Sequence, residues 1–148
     1  MSDSIFMARA LELAREAEQA GEVPVGAVIV KDGAIVGEGW NRPISTNDPT
    51  AHAEIVAIRE AAARLGQPRL DGCTIWVTLE PCAMCAGAMS LARLDAVRFG
   101  ADDPKGGGLV HGARVFSQST CHHRPDVLGG IGEAESAELL RKFFEERR

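Results

Sequence analysis

The chain has 148 residues, 45% of them hydrophobic and 25% charged, and 16 basic against 21 acidic side chains give a formal net charge of −5. That length suits a single domain, residues 1–148, with a core of its own, and the composition is that of an ordinary soluble globular protein. The acidic balance opposes non-specific nucleic-acid binding, which needs a surplus of positive charge, though a local basic patch is compatible with it. No apolar run reaches membrane length, and Met1-Ser2-Asp3-Ser4 opens no signal peptide, so a cytoplasmic protein without membrane attachment is expected.

Taken in order, the chain alternates helix and strand. Residues from about Asp3 to Ala20 form an amphipathic helix, with Ile5, Phe6, Leu13 and Ala17 among its apolar positions and Gly21 as its stop. Val25 to Val30 is a nearly all-apolar run that suits a buried strand. Asp32-Gly33 is a hairpin signal, and Ala34 to Gly39 returns beside the first strand. Trp40 to Pro49, rich in Asn, Pro and Asp, reads as a loop. Ile55, Ile58, Ala62 and Leu65 at helical spacing predict a helix over Ala51 to Leu65, stopped by Gly66. Cys73 to Leu79 is a strand feeding into Pro81, which suits a helix start, and that helix runs to about Leu94. Ala96 to Gly100 is the next buried strand, and the strand–helix–strand order implies a crossover with parallel pairing. Asp102 to Gly108 reads as a mobile loop; no strand–GxxxxGK[ST]–helix pattern surrounds it. Between Leu109 and Gly132, Val110, Val115, Phe116, Val127 and Ile131 can anchor short elements of undefined bounds. Glu133 to Arg148 is a helix with Leu139, Leu140, Phe143 and Phe144 as its apolar face.

Two stretches carry the chemistry: Thr50-Ala51-His52-Ala53-Glu54 and Leu79-Glu80-Pro81-Cys82-Ala83-Met84-Cys85. Alone, the histidine fits a satisfied core side chain, and the C-x-x-C fits a redox pair or a structural zinc hook. Together they read H-x-E followed by P-C-x-x-C, the signature of zinc-dependent base deaminases. His52, Cys82 and Cys85 are three zinc ligands, which leaves the fourth tetrahedral position for water, the catalytic arrangement. In the predicted helix His52 and Glu54 point about 200° apart, so both serve one site only if that site lies off the helix end. Cys82 and Cys85 share one face of the second helix, where the dipole and a metal both favour thiolate.

Glu54 makes such a site an enzyme. A carboxylate beside the metal can accept a proton from the activated water and hand it to a leaving nitrogen. The plain alternative is an acid that only satisfies the helix dipole. A catalytically idle zinc domain that binds RNA or a partner is a further possibility, and the presence of Glu54 argues against it. Cys73 and Cys121 read as free thiols. Cys121-His122-His123 reads as a surface loop, since three adjacent residues rarely ligate one ion.

Over almost its whole length the chain resembles the bacterial tRNA-specific adenosine deaminases of the cytidine-deaminase-like superfamily. The likeness rests on Glu22-Val23-Pro24-Val25-Gly26-Ala27-Val28, Gly37-Glu38-Gly39-Trp40-Asn41-Arg42-Pro43, Thr50 to Glu54, Val77 to Gly87, Arg98-Phe99-Gly100-Ala101 and Phe143-Phe144. It implies an α/β fold of three layers, a five-stranded mixed sheet with helices on both faces, and a homodimer. The apolar positions Met84, Ala88, Met89 and Leu91 suit a contact between two subunits. The implied reaction is hydrolytic deamination of adenosine to inosine at the wobble position of a tRNA anticodon, with one Zn²⁺ per subunit. By the resemblance, His52, Cys82 and Cys85 hold the metal and Glu54 shuttles protons. Asn41 holds the target nucleoside, Asp103 and Lys105 touch the neighbouring nucleotide, and His123 belongs to the anticodon-loop contacts.

The sequence departs from the family between Leu109 and His123, where His122 stands in a position that many relatives fill with Asn. In the last helix Arg141, Lys142, Arg147 and Arg148 accompany Phe143 and Phe144, a mixture that suits phosphate neutralisation and base stacking. On that reading Phe144, Arg147 and Arg148 are candidate RNA contacts; the alternative, an amphipathic face with both phenylalanines in the core, explains most of the helix and leaves only the terminal arginines spare. The metal motif itself is shared with deaminases of free bases and nucleosides, so guanine or cytosine/cytidine is the alternative substrate.

Overall fold

Asp32 and Gly33 adopt φ of +51° and +78° and close a two-residue hairpin between β1 (Gly26–Lys31) and β2 (Ala34–Trp40). Both central residues of a primed turn need positive φ, which Asp-Gly supplies at low strain. The computed structural model describes residues 2–147, with side chains from Ile5 onward. Its sheet has the order β2-β1-β3-β4-β5, where β3 is Cys73–Leu79, β4 is Ala96–Ala101 and β5 is Asp126–Leu128. β1 runs antiparallel to β2 and β3, while β3, β4 and β5 are mutually parallel, so the sheet is mixed as expected.

Helices cover both faces. Ala27, Ile29, Ile75, Val77, Val97 and Phe99 pack with α3 (Ala53–Leu65) and α4 (Ala83–Leu91). Val28, Val30 and Trp76 point the other way, against Met7, Ala10, Leu11 and Leu13 of α1 (Ser2–Gln19). α5 (Glu133–Glu146) packs beside α1 and against β3 and β4. The apolar run of β1 follows from this sandwiching, because successive side chains enter opposite cores.

Close approach fixes α3. Cβ atoms added at Gly37 and Gly39 of β2 would lie 2.4 Å from the Ala57 carbonyl oxygen and 2.3 Å from that of Ala53. With Ala53, Ala57 and Ala61 fully buried opposite them, small residues on both sides seat the helix directly on the strand backbone. The helix that follows His52 is therefore held by van der Waals contact along its length.

Several bounds differ from expectation. α4 stops at Leu91 rather than Leu94, since Arg93 turns at φ +63° and Asp95 N donates to the Cys73 carbonyl to enter β4. A helical turn, α2 (Pro43–Thr46), occupies part of the segment read as loop. The segment without predicted bounds holds a 3-10 turn, Val115–Ser117, and the edge strand β5. Ile5 faces solvent rather than the core. α5 splits its aromatic pair: Phe143 is 5% exposed and Phe144 50%. No described helix is long and apolar enough to cross a membrane.

Candidate metal centre

The two helices that face one another here begin in the same way. His52 is the N-cap of α3 with φ −71° and ψ 154°, and Cys82 is the N-cap of α4 with φ −74° and ψ 175°. Neither side chain makes a capping hydrogen bond to its helix. His52 thus precedes α3 instead of lying in its first turn, and Pro81 precedes the cap instead of opening the helix. The extended cap backbone turns the imidazole off the helix axis, so His52 and Glu54 avoid the opposed directions that two helical positions would impose.

His52 Nδ1 lies 3.6 Å from Cys82 Sγ and 3.5 Å from Cys85 Sγ. The three ligand atoms all fall within 4.8 Å of one another. Zinc bonds of about 2.05 Å to nitrogen and about 2.3 Å to sulfur at the tetrahedral angle put N and S about 3.6 Å apart. The residues therefore fit zinc in donor type and in spacing. Among the described residues no other cluster of ligating side chains forms. Cys121 is instead buried, with its Sγ against Ser90 Oγ and the His123 carbonyl, and Cys73 is a buried free thiol.

The protein groups alone already favour thiolate at Cys82. A hydrogen bond from Cys85 draws the Cys82 thiol down to about 4 against the opposing effect of burial, with His52 contributing in the same direction. Cys85, as the donor of that bond and as a buried group, is pushed up. The contact with Cys82 raises His52. Glu54 stands beside this group, buried, with its carboxyl pushed up to about 7 by desolvation. A carboxyl near neutrality is suited to both accepting and returning a proton.

A cleft of about 840 Å³ is lined by Leu79, three residues before Cys82 in the chain, and by none of the metal residues themselves. Asp103, Lys105, Phe144 and Arg147 line it. The structure thus brings four of the expected substrate contacts together. Part of Asp103 is engaged locally, since its Oδ1 accepts from Lys105 N at 3.3 Å and Gly106 N at 2.9 Å. Arg147 stacks its guanidinium 3.6 Å from the Phe143 ring centroid, while Arg141 is held by Glu138 and Glu145. Asn41 is half-buried in the turn between β2 and α3, its N donating to the Val25 carbonyl.

His123 is not brought to this cleft. Its Nε2 meets the Leu94 carbonyl at 2.7 Å, ahead of β4, whereas the metal residues follow the far end of β3. Seven residues of strand separate those ends by roughly 20 Å. His122 and His123 line a separate cavity of about 340 Å³ with Leu91 and Ser90 of α4. Arg148 lies outside the described residues.

Two buried carboxylates escaped the sequence reading. Glu22 accepts hydrogen bonds from Ile44 N, Ser45 N and Ser45 Oγ at 3.3, 2.7 and 2.6 Å, which fastens the segment between Asn41 and His52. Glu80 accepts from the backbone of Asp103, Leu109, Val110 and His111, and from the His111 ring. No spacing in the sequence links these partners, and an acid before Pro-Cys carries no signal of its own.

Fold and site define a zinc-dependent deaminase, and residues 1–101 match the cytidine and deoxycytidylate deaminase zinc-binding region. The tRNA-specific adenosine deaminase of Agrobacterium fabrum is 55% identical over 143 residues, 97% of this chain and 94% of that protein. A solved tRNA:A34 deaminase, from studies of A-to-I editing at the wobble position of transfer RNA, superimposes with a TM-score of 0.90 at 55% identity, covering 91% of this chain and 98% of that one. A guanine deaminase of Bacillus subtilis aligns less completely, with a TM-score of 0.65 at 52% identity over 66% of this chain and 63% of that one. The chain belongs to the tRNA-specific adenosine deaminases within the cytidine and deoxycytidylate deaminase family.

Proposed function

We propose that this protein hydrolyses adenosine to inosine at the wobble position of a tRNA anticodon, with His52, Cys82 and Cys85 holding one zinc per subunit and Glu54 as the proton carrier. The observation that carries this reading is the convergence of the three ligand atoms, all within 4.8 Å, beside a buried carboxylate. Bound zinc supplies Lewis-acid chemistry that brings the pKa of a water toward neutrality. In the reaction a C6–O bond forms, the C6–N6 bond breaks, and water and adenosine become ammonia and inosine. Glu54 takes the proton that the attacking water loses and returns it to the departing nitrogen at N6.

The adenine must leave its stack to reach a centre set between two helix starts. Unstacking costs least in an unpaired loop, which favours an anticodon loop over a duplex. The cleft beside Leu79 takes the neighbouring nucleotide, with Asp103, Lys105, Phe144 and Arg147 in its lining. Phe144 is exposed and available for stacking, and Arg147 carries a charge for phosphate. Asn41 orients the target nucleoside in this reading. A homodimer fits the exposed Met84 and Leu91 on α4, and Met89, which is buried in the core, takes no part in that contact. We place the protein in the cytoplasm, where tRNA is matured.

The test is ammonia release from a panel holding an anticodon stem-loop, adenosine, guanine and cytidine, with inosine read in the RNA by sequencing. Guanine is in the panel because of the Bacillus subtilis neighbour. Turnover of guanine without the stem-loop overturns the RNA assignment and leaves the zinc chemistry in place.

A further inference from the structure

Glu80 is buried two residues before a metal ligand, yet it is not one of the converging ligand atoms. Its backbone N donates to the Ala101 carbonyl at 2.8 Å, at the end of β4. Its side chain continues onto the loop that leaves β4. Oε1 accepts from Asp103 N at 3.0 Å and from His111 Nδ1 at 2.8 Å. Oε2 accepts from Leu109 N, Val110 N and His111 N at 3.2, 2.9 and 3.0 Å. Three successive amides on one oxygen require an acceptor with no hydrogen of its own, which a carboxylate supplies at both positions and a carboxamide at only one.

The loop lies flush on this group. A Cβ at Gly107 would come 2.5 Å from Glu80 Cδ and 2.6 Å from the Asp103 carbonyl oxygen. Gly108 N donates to the Pro81 carbonyl at 2.7 Å, so the loop is also stitched to the residue just ahead of Cys82. One carboxylate therefore ties the segment that carries two metal ligands to the segment that presents Asp103 and Lys105 to the cleft.

We propose that Glu80 is a positioning residue for substrate selection: it sets the height and direction of the 103–111 loop over the metal centre and so governs how firmly the substrate is gripped, not how fast it is converted. The inference rests on the deaminase reading above for what the loop grips. It makes Glu80 the link between the chemistry of one strand end and the recognition surface of the next.

Glu80→Gln tests it, because the amide keeps the size and loses one acceptor oxygen. Expected are zinc content equal to wild type, amide exchange at residues 103 and 109–111 faster by about tenfold or more, and KM for an anticodon stem-loop raised by about tenfold with kcat within about twofold. Gly107→Ala presses on the same contact while leaving the carboxylate untouched, and it should reproduce the rise in KM with full zinc; this variant decides the matter should Glu80→Gln fail to fold. Unchanged exchange in Glu80→Gln, zinc loss, a fall in kcat at constant KM, or an unchanged KM in Gly107→Ala overturns the proposal. Absence of wild-type activity on RNA is a failure of the substrate reading, and the exchange measurement still decides whether Glu80 holds the loop.

Discussion

His52 Nδ1 and Cys82 Sγ sit 3.6 Å apart although 30 residues separate them, and each belongs to the N-cap of its own helix. The metal centre is thus a junction of two helix starts, with Cys85 on the first turn of α4 as its third corner. Removing one corner leaves two ligands at the cap positions. Cys85→Ser should purify with well under half the zinc of wild type, since a hydroxyl is a poor substitute for a thiolate toward this metal. Atomic absorption on the purified chain checks it, and full occupancy in the variant means that the ligand set is wrong.

Glu54 separates from the ligands in its expected effect. Glu54→Gln preserves the volume of a buried side chain, so fold and zinc content should hold. Turnover should fall by about 10²–10⁴-fold, because both proton transfers pass through this carboxylate. Single-turnover assays with matched zinc analysis decide it. Zinc loss in the variant, with activity recovered on adding the metal back, makes Glu54 a ligand and not a catalyst.

The metal centre was legible in sequence because its signal is local: three ligand types and an acid in two stretches of a few residues. Its geometry was not. Whether His52 opens the helix or caps it depends on one ψ angle, and apolar periodicity does not report a single ψ. β1, β3 and β4 were legible from apolar runs that two covered faces demand, and β2 from the Asp32-Gly33 hairpin signal ahead of it. β5 was not, since Asp126 and Leu128 are exposed on an edge strand and Val127 is only half-buried. Phe143 and Phe144 look alike in sequence, but adjacent positions point about 100° apart around α5, so the face turned to the sheet buries one and leaves the other toward the cleft. Glu22 and Glu80 act through backbone amides about twenty to thirty residues away, which no residue-type pattern encodes.

Glu22 gives the fold a pH-dependent contribution. Burial pushes its carboxyl up, but the hydrogen bonds from Ser45 and Ile44 outweigh burial and hold it below its ordinary value. A group whose folded pKa is depressed stabilises the fold above its unfolded pKa, about 4.3, and loses that contribution as pH falls through the folded value. Glu22→Gln should therefore cost about 1–3 kcal/mol at pH 7, where its amide faces the Ser45 donors, and the gap to wild type should narrow below about pH 4. Urea unfolding of both chains at matched pH checks this, and taking the difference cancels the metal ligands they share. A gap that stays constant from pH 7 to well below pH 4 rules out a charged Glu22 as the source.

Leu91 is 84% exposed and Met84 40%, both on α4. If two subunits meet on this helix, Leu91→Arg should place a charge in an apolar contact and shift the assembly toward monomer at micromolar concentration. Light scattering reads the mass. A wild-type monomer refutes the dimer outright, and a dimeric Leu91→Arg moves the interface off α4.

Asp103 tests how RNA is told from DNA. Its Oδ1 accepts from Gly106 N at 2.9 Å and from Lys105 N at 3.3 Å, so one oxygen shapes the turn. Asp103→Asn can keep that oxygen in place and exchange the other for an amide, which preserves the loop while removing the charge. A 2′-hydroxyl can donate to a carboxylate, and that hydroxyl is what distinguishes the two nucleic acids at a given site. The variant should lose activity on an RNA stem-loop by about tenfold while activity on the matched DNA hairpin changes little, since a deoxy-sugar has no hydroxyl to lose. The measurement is kcat/KM on both hairpins with wild type and variant. Equal losses on RNA and DNA, which leave the RNA-to-DNA ratio unchanged, remove Asp103 from sugar discrimination and leave it as a turn residue.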